Sequence, residues 1–471
     1  MVAPRRDELE KVLDLVLTES RAYLGSVDER RLREPNADEA ALSFAGPLPA
    51  DGAGALEALR ELVEVGLPAS VASGGPRFFH YVIGGTTPAA LGGGLLTDVL
   101  DQNPGLWDAS PLGSFLGRLS LDWLKELFGL PASWGGAIVT GGTMANYAGL
   151  AAARRWWGLE HGVDVEQAGL SGLPPVPVLS SGYIHTSAVK VLAMLGVGRE
   201  QIRTFSRDGT GRLDLEAMRR ALEEIDGPAI VVANAGEVNA GDFDPIAEIA
   251  DLCEAHGAWL HVDGAFGLFA AVSPRTAHLL EGVDRAHSVS VDGHKWLNVP
   301  HDTGFTFVRD PEMLDGAFAI SAAYLTTHAD RPNLMWRTPE SSQRARGIAA
   351  WATLRAYGLA GYREMVERHL DLAQRVGRRV EEADDLELLA EVKLNIVCFR
   401  YRPPGVDDEE AIDEINRRIG QEILRDGRVY VGTTTYDGKV AFRPAIVNWR
   451  TREEDVDLLV DTIRDLGSRP A

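Results

Sequence analysis

The chain has 471 residues, 45% hydrophobic and 25% charged, the balance of a globular protein long enough for a large core and more than one domain. Its 69 Asp and Glu against 47 Lys and Arg give a formal charge of -22, which argues against a nucleic-acid or anionic-membrane surface but not against a locally positive pocket. The only two cysteines, Cys253 and Cys398, rule out a disulfide framework and fit a reducing cytoplasm, and both lie in apolar patterns that read as buried packing.

In chain order, Arg6 to Tyr23 places Leu9, Val12, Leu13 and Val16 near helical spacing, so a helix begins at once, with no apolar export segment before it. No window of the sequence has the length and apolarity of a membrane span. A linker with Pro and Gly, about Pro35 to Gly52, leads to a second helix over Ala55 to Val65. Gly74 to Pro88 is aromatic, then glycine-rich. Exposed apolar area is costly, so Phe78, Phe79, His80 and Tyr81 read equally as packing residues and as pocket residues. The same holds for Asp101 to Pro104 and for Trp107.

A periodic helix over Gly113 to Phe128 precedes an apolar strand that stops at Gly141-Gly142 and restarts as a helix. Glycines let the backbone close around an anion, and the new helix points free N–H groups at it, with the Thr143 hydroxyl beside them. Such turns are common, so the pattern alone is weak. The strand Val176 to Ser180 ends in a loop with His185, a residue able to cap, to fill space or to move a proton. After the strand Ile230 to Ala233 comes Asn234 to Gly241, where Glu237 is expected at the solvent, and a helix from about Pro245. This alternation predicts a parallel sheet with crossover helices, its ligands gathered at the carboxyl ends of the strands.

Two apolar runs, Leu260 to Asp263 and Ser288 to Asp292, each end in Asp followed by Gly, and Lys295 stands just beyond the second. A lysine past one strand end with an aspartate at the end of a neighbouring strand is what pyridoxal phosphate needs. The amine attaches the aldehyde, and the carboxylate keeps the pyridine nitrogen protonated. The plain alternative is a surface lysine and a loop-capping aspartate. The apolar strand before Lys295, Trp296 after it and the glycine turns nearby favour the cofactor site.

Asp263-Gly264-Ala265, followed 32 positions after the aspartate by Lys295 within Asp292-Gly293-His294-Lys295-Trp296, resembles the group II pyridoxal-phosphate-dependent decarboxylases. This fold-type-I family holds the aromatic-amino-acid, glutamate and histidine decarboxylases, and the similarity runs from about Arg77 to about Thr451. The resemblance implies an α/β protein: a mainly parallel seven-stranded sheet domain (71–345), a helical N-terminal arm (1–70) and an α+β C-terminal domain (346–471). It implies Lys295 as the covalent anchor, Asp263 as partner of the ring nitrogen, Ala265 against one ring face and His185 stacked over the ring. Gly142, Thr143 and His294 would hold the phosphate, and Phe79, His80 and Trp107 would belong to the substrate site. The arm would pack across a second copy, making an obligate homodimer. Lys190 is a weaker rival anchor, and with no His and Cys cluster at ligand spacing no metal is expected.

Ala317 to Glu340 has no sustained period. The aromatic-amino-acid members carry a proton-donating loop tyrosine here, and counting back from Gln343-Arg344-Ala345-Arg346 puts Leu334 at its position, with Tyr324 and His328 as substitutes. Helices follow at Arg344 to Tyr357, Tyr362 to Glu382 and Glu409 to Leu424, strands at Ile396 to Tyr401 and Val440 to Ile446, and a hairpin turn at Tyr436-Asp437-Gly438-Lys439. Arg443 reads equally as a structural ion pair and as a carboxylate contact. The expected reaction is decarboxylation of an L-amino acid to an amine, with Phe78, Phe79, Trp107 and Trp296 leaning the side chain towards an aromatic one. Decarboxylation with oxidative deamination to an aldehyde, aminotransfer, carbon–carbon lysis and a non-catalytic scaffold are the alternatives.

Overall fold

Uninterrupted runs of Val, Ile, Ala and Phe make the strands of the main sheet, because a strand covered by helices on both faces has no solvent side. In the computed structural model, which describes residues 6–320, 322, 325, 331 and 333–469, these are β1 (Gly135–Val139), β2 (Val178–Ser180), β3 (Ile202–Thr204), β4 (Ala229–Asn234), β5 (Ala258–Asp263), β6 (Ser288–Asp292) and β7 (Gly304–Val308). The sheet order is β1-β7-β6-β5-β4-β2-β3. All strands but the edge strand β3 are buried throughout. From β3 to β6 the pairing is parallel, so Asn234, Asp263 and Ser290 stand side by side near the carboxyl ends of β4, β5 and β6.

β7, absent from the sequence reading, is antiparallel to both β6 and β1. The return from β6 is the loop 293–303, too short for a crossover helix, so the chain must double back. Helix Gly142–Glu160 lies against the sheet with Ala145, Ala148, Ala151 and Ala152 buried. At Gly149 a Cβ would come within 2.8 Å of the His261 ring, so only a glycine lets the helix approach β5 this closely.

The first helix runs Arg6–Ser26, and the expected linker contains a short helix, Ala37–Leu42. The second helix, Ala55–Glu61, passes into a π turn at Leu62–Gly66 before Leu67–Ala69. In the C-terminal part, the two helices expected on either side of residue 358 follow one another within Gly347–Glu381, parted by a kink at Gly358, whose φ of 57° is not helical. It packs beside a four-stranded antiparallel sheet of β8 (Leu386–Leu388), β9 (Phe399–Tyr401), β10 (Thr433–Tyr436) and β11 (Lys439–Phe442), in the order β10-β11-β9-β8. Asp437 and Gly438 both have positive φ, as a two-residue hairpin turn requires, and helices Glu409–Asp426 and Glu453–Gly467 complete this half. Both cysteines are buried and unpaired. No helix among the described residues is long and apolar enough to cross a membrane.

Candidate active site

The loop after β6 is locked from both flanks. Trp296 is fully buried, and its indole N–H donates to His369 Nδ1 at 2.8 Å. Asn298, at φ 57°, donates to the carbonyls of Trp296 (2.9 Å) and Val447 (3.0 Å) and accepts from the Trp449 N–H. From the other side Gly84 N–H donates to the His294 carbonyl at 3.0 Å, and a Cβ at Gly84 would fall 1.8 Å from the Lys295 carbonyl. Gly84→Ala must therefore displace the Lys295 backbone. We expect it to cost about 1–3 kcal/mol of stability, seen as a lower Tm, because the intruding methyl meets backbone and not a yielding side chain.

With its backbone held, Lys295 projects into a cavity of about 420 Å³ at the carboxyl ends of the strands. Gly142, Thr143, His185, Asp263, Ala265 and Lys295 all line it. Lys295 Nζ lies 5.6 Å from the centre of the Phe266 ring and, among the described residues, makes no ion pair. Asp263 is buried: Oδ1 accepts from the Ala265 N–H at 3.1 Å and Oδ2 from Asn146 Nδ2 at 2.8 Å. His185 Nδ1 accepts from Ser187, both from its N–H (3.2 Å) and from its hydroxyl (2.7 Å), which leaves the ring hydrogen on Nε2. His185 is exposed at the mouth of the cavity, yet desolvation of its ring by the surrounding protein lowers its pKa, opposed by the Asp263 carboxylate and reinforced by Lys295 and Arg443, a direction that favours the neutral ring.

At the glycine turn, Gly142 N–H donates to Asp292 Oδ2 at 3.0 Å, so the carboxylate fills the place expected for a bound anion. His294 Nδ1 lies 2.7 Å from Asp292 Oδ1 but off the hydrogen-bonding direction, and both atoms are buried without a hydrogen-bond partner. His294 stacks on His301 with ring centres 4.3 Å apart.

The three expected substrate residues are not in the cavity lining. Phe79 is buried in the C-terminal core, its backbone bonded to Tyr430 and Ala445. His80 is buried and accepts from the Gly432 N–H at 3.0 Å, and burial followed by the nearby Arg443 charge pushes its pKa down to about 4. Trp107 packs under the guanidinium groups of Arg118 (5.0 Å) and Arg331 (5.3 Å). Phe78 sits in a small cluster with Val27, Leu32 and Ala72, and Trp296 is core, so the aromatic residues behind the substrate lean are elsewhere. Among the described residues, the Tyr and Phe rings that line the cavity belong to Tyr81, Tyr183 and Phe266. Tyr81 and Val82 both hold positive φ, a strained conformation without a sequence signal.

Glu237, expected at the solvent, is buried and lines the cavity. Its loop folds back over the carboxylate, which accepts from the N–H groups of Asn239 (2.7 Å) and Ala240 (2.8 Å), and burial raises its pKa. Arg443 also lines the cavity. Its guanidinium donates to the Val238 carbonyl at 3.3 Å and, among the described residues, makes no ion pair within contact distance, while the buried Glu237 carboxylate of the same cavity acts on its charge. Lys190 is exposed on helix Thr186–Met194, away from the cavity. Leu334 opens a 3-10 turn, Leu334–Arg337, with its side chain beside Gly117, while Tyr324 and His328 lie outside the described residues. Among the described residues no group of three or more His, Cys, Asp or Glu could hold a metal ion.

Comparison with known proteins bears on the same elements. Residues 51–402 match the model of the pyridoxal-dependent decarboxylase conserved domain. The aromatic-L-amino-acid decarboxylase of Bacillus atrophaeus is 30% identical over 400 residues, which are 83% of this chain and 81% of that protein. The L-2,4-diaminobutyrate decarboxylase of Rhizobium meliloti is 30% identical over 428 residues, 88% of this chain and 83% of the relative. A crystal structure of Oryza sativa TDC with PLP and tryptamine superposes with a TM-score of 0.89 at 25% identity, covering 99% of both chains.

Proposed function

The chain belongs to the pyridoxal-dependent decarboxylase family, and on that premise we propose that Lys295, Asp263 and His185 are its catalytic residues. Its reaction is the pyridoxal-phosphate-dependent removal of carbon dioxide from an amino acid. The residues present fit the cofactor. A cavity of about 420 Å³ holds an amine with no ion-pair partner among the described residues and a buried carboxylate, and at its glycine turn stand the Thr143 hydroxyl and a His294 ring whose Nδ1 makes no hydrogen bond. Bound pyridoxal phosphate supplies an electron sink for the pair left behind when the carboxylate departs.

Lys295 would attach the cofactor and, once displaced by the substrate amine, stand ready to move protons. Asp263 would face the ring nitrogen, its carboxylate aimed by Ala265 and Asn146. The neutral His185 would stack over the ring with an N–H at Nε2 to offer, and Ala265 would close the opposite face. Gly142, Thr143 and His294 would hold the phosphate, which requires Asp292 to give up the Gly142 N–H. Arg443, a cation in the same cavity, suits the substrate carboxylate. The observation that carries this reading is the convergence of Lys295 and Asp263 in one cavity from neighbouring strands.

For the substrate we propose an aromatic L-amino acid, on the ring surface of Tyr81, Tyr183 and Phe266 and on the relative from Bacillus atrophaeus. The test is to incubate the cofactor-loaded protein with a panel of aromatic, acidic and cationic amino acids and to measure carbon dioxide, amine, ammonia and peroxide. Carbon dioxide and amine in equal amounts from an aromatic substrate support the reading. Peroxide and ammonia would assign the aldehyde-forming reaction instead, and no carbon dioxide from any substrate would overturn it.

We also propose that the working unit is a homodimer. Helix Pro88–Leu100 buries Ala90, Gly93, Gly94 and Thr97, yet leaves Leu95, Leu96, Val99 and Leu100 exposed, and Leu9, Leu13, Val16 and Leu17 of the first helix are exposed as well. Apolar area on this scale marks an interface. Leu96→Asp should shift the sedimentation coefficient from dimer to monomer at micromolar concentration; a wild-type monomer would refute the assignment. A cytoplasmic location is supported by the buried, unpaired thiols of Cys253 and Cys398.

A further inference from the structure

Behind Asp263 lies a chain of buried polar groups that the reaction does not use directly. Trp259 Nε1 donates to Ser288 Oγ at 2.9 Å, and Ser288 Oγ is 2.8 Å from His261 Nδ1. His261 Nε2 is 2.9 Å from Asn146 Oδ1, which also receives the Ser290 hydroxyl at 2.5 Å. Asn146 Nδ2 then donates to Asp263 Oδ2 at 2.8 Å and to Ser187 Oγ at 3.2 Å. Trp259, Ser288, His261, Ser290 and Asn146 are all at most 2% exposed.

The two ends of this chain set its direction. An indole N–H can only donate, and a carboxylate can only accept. With Asp263 accepting, Asn146 must turn its nitrogen to the carboxylate and its oxygen to His261. His261 must then carry its hydrogen on Nε2, and its bare Nδ1 takes the Ser288 hydroxyl, which in turn takes the Trp259 N–H. Burial supports the neutral ring this needs, pushing the His261 pKa down to about 4 against the pull of Asp263. On the other branch, Ser187 accepts from Asn146, and because its own N–H already makes His185 Nδ1 an acceptor, its hydroxyl donates there as well.

We infer that Asn146 is a positioning residue for both catalytic partners: one amide, locked by His261 and Ser290, aims the Asp263 carboxylate and orients the Ser187 hydroxyl that bonds His185 Nδ1. Reversing the amide would set its oxygen against Asp263 and its hydrogens against the His261 N–H and the Ser290 hydroxyl. The proposal rests on the assignment of Asp263 and His185 as catalytic.

The experiment uses protein labelled with 15N at histidine, with and without pyridoxal phosphate, in wild type and Asn146→Leu. Long-range 1H–15N spectra report the tautomers, and a titration followed by absorbance gives the cofactor dissociation constant. In wild type, His261 and His185 are expected in the Nε2–H form in both states. In Asn146→Leu the cofactor should bind about tenfold or more weakly, the loss of one hydrogen bond to a charged group, and the His185 15N shifts should move as the Ser187 hydroxyl is freed, with the Nε2–H form kept by the Ser187 N–H. His261 in the Nδ1–H or doubly protonated form in wild type would overturn the proposal, and this readout stands even where the variant does not fold. A folded Asn146→Leu with unchanged affinity and an unchanged His185 spectrum would also overturn it. A wild type that takes up no cofactor instead refutes the catalytic assignment, which the tautomers of the cofactor-free protein do not test.

Discussion

Lys295→Ala should eliminate borohydride-fixed cofactor and lower kcat by at least about a thousandfold, with little change in Tm. The activity loss follows from the amine's position, since no other lysine lines the cavity and the rival Lys190 is exposed outside it. The small effect on stability follows from the surroundings. Lys295 makes no ion pair among the described residues, so removing its amine leaves no buried charge behind, and the loop is held by Trp296 and Asn298. Mass spectrometry of the reduced, proteolysed wild type checks the attachment point directly. A cofactor adduct on any other residue, or a variant with wild-type kcat, would sink the assignment. Partial recovery with a small alkylamine would show that the missing amine, and not a shifted loop, is responsible.

The elements legible in the sequence were those whose signal is local. The strand ends at Asp263 and Asp292 and the glycine turn at Gly141-Gly142 are each written in consecutive residues, and the sheet places Gly142, Asp263 and Asp292 around one cavity. β7 was missed because its direction depends on the length of the return loop, not on its own Gly-Phe-Thr-Phe-Val pattern. Phe79 and Trp296 misled because an aromatic residue in a glycine-rich or catalytic stretch looks the same whether it faces ligand or core. Glu237 misled for the opposite reason: burial of a carboxylate depends on donors two and three residues further on, visible only once the turn is formed. Asn146 left one faint trace, its place three residues after Thr143 and so on the same face of the helix. Its partners come from β5, β6 and the first turn of helix Thr186–Met194, which no local pattern links.

Asp263→Ala should lower kcat by about 100- to 1000-fold while leaving the cofactor attached to Lys295, a combination that separates the two residues' roles. The carboxylate is buried and accepts one hydrogen bond at each oxygen, so its charge is aimed and costs no rearrangement during the reaction. Removing it leaves one N–H of the Asn146 amide and the Ala265 N–H without acceptors, and each buried donor so stranded costs about 1–3 kcal/mol. A lower Tm is thus part of the expectation, and activity must be measured well below it. Asp263→Asn divides charge from shape. Its side-chain oxygen can still accept from Asn146 while its NH2 cannot accept from the Ala265 N–H, so Tm should recover part of the loss, and kcat should stay low because the amide carries no charge to hold a protonated ring nitrogen. If Asp263→Asn regains both Tm and kcat, the carboxylate is only a structural acceptor and the electrostatic role proposed for it is wrong.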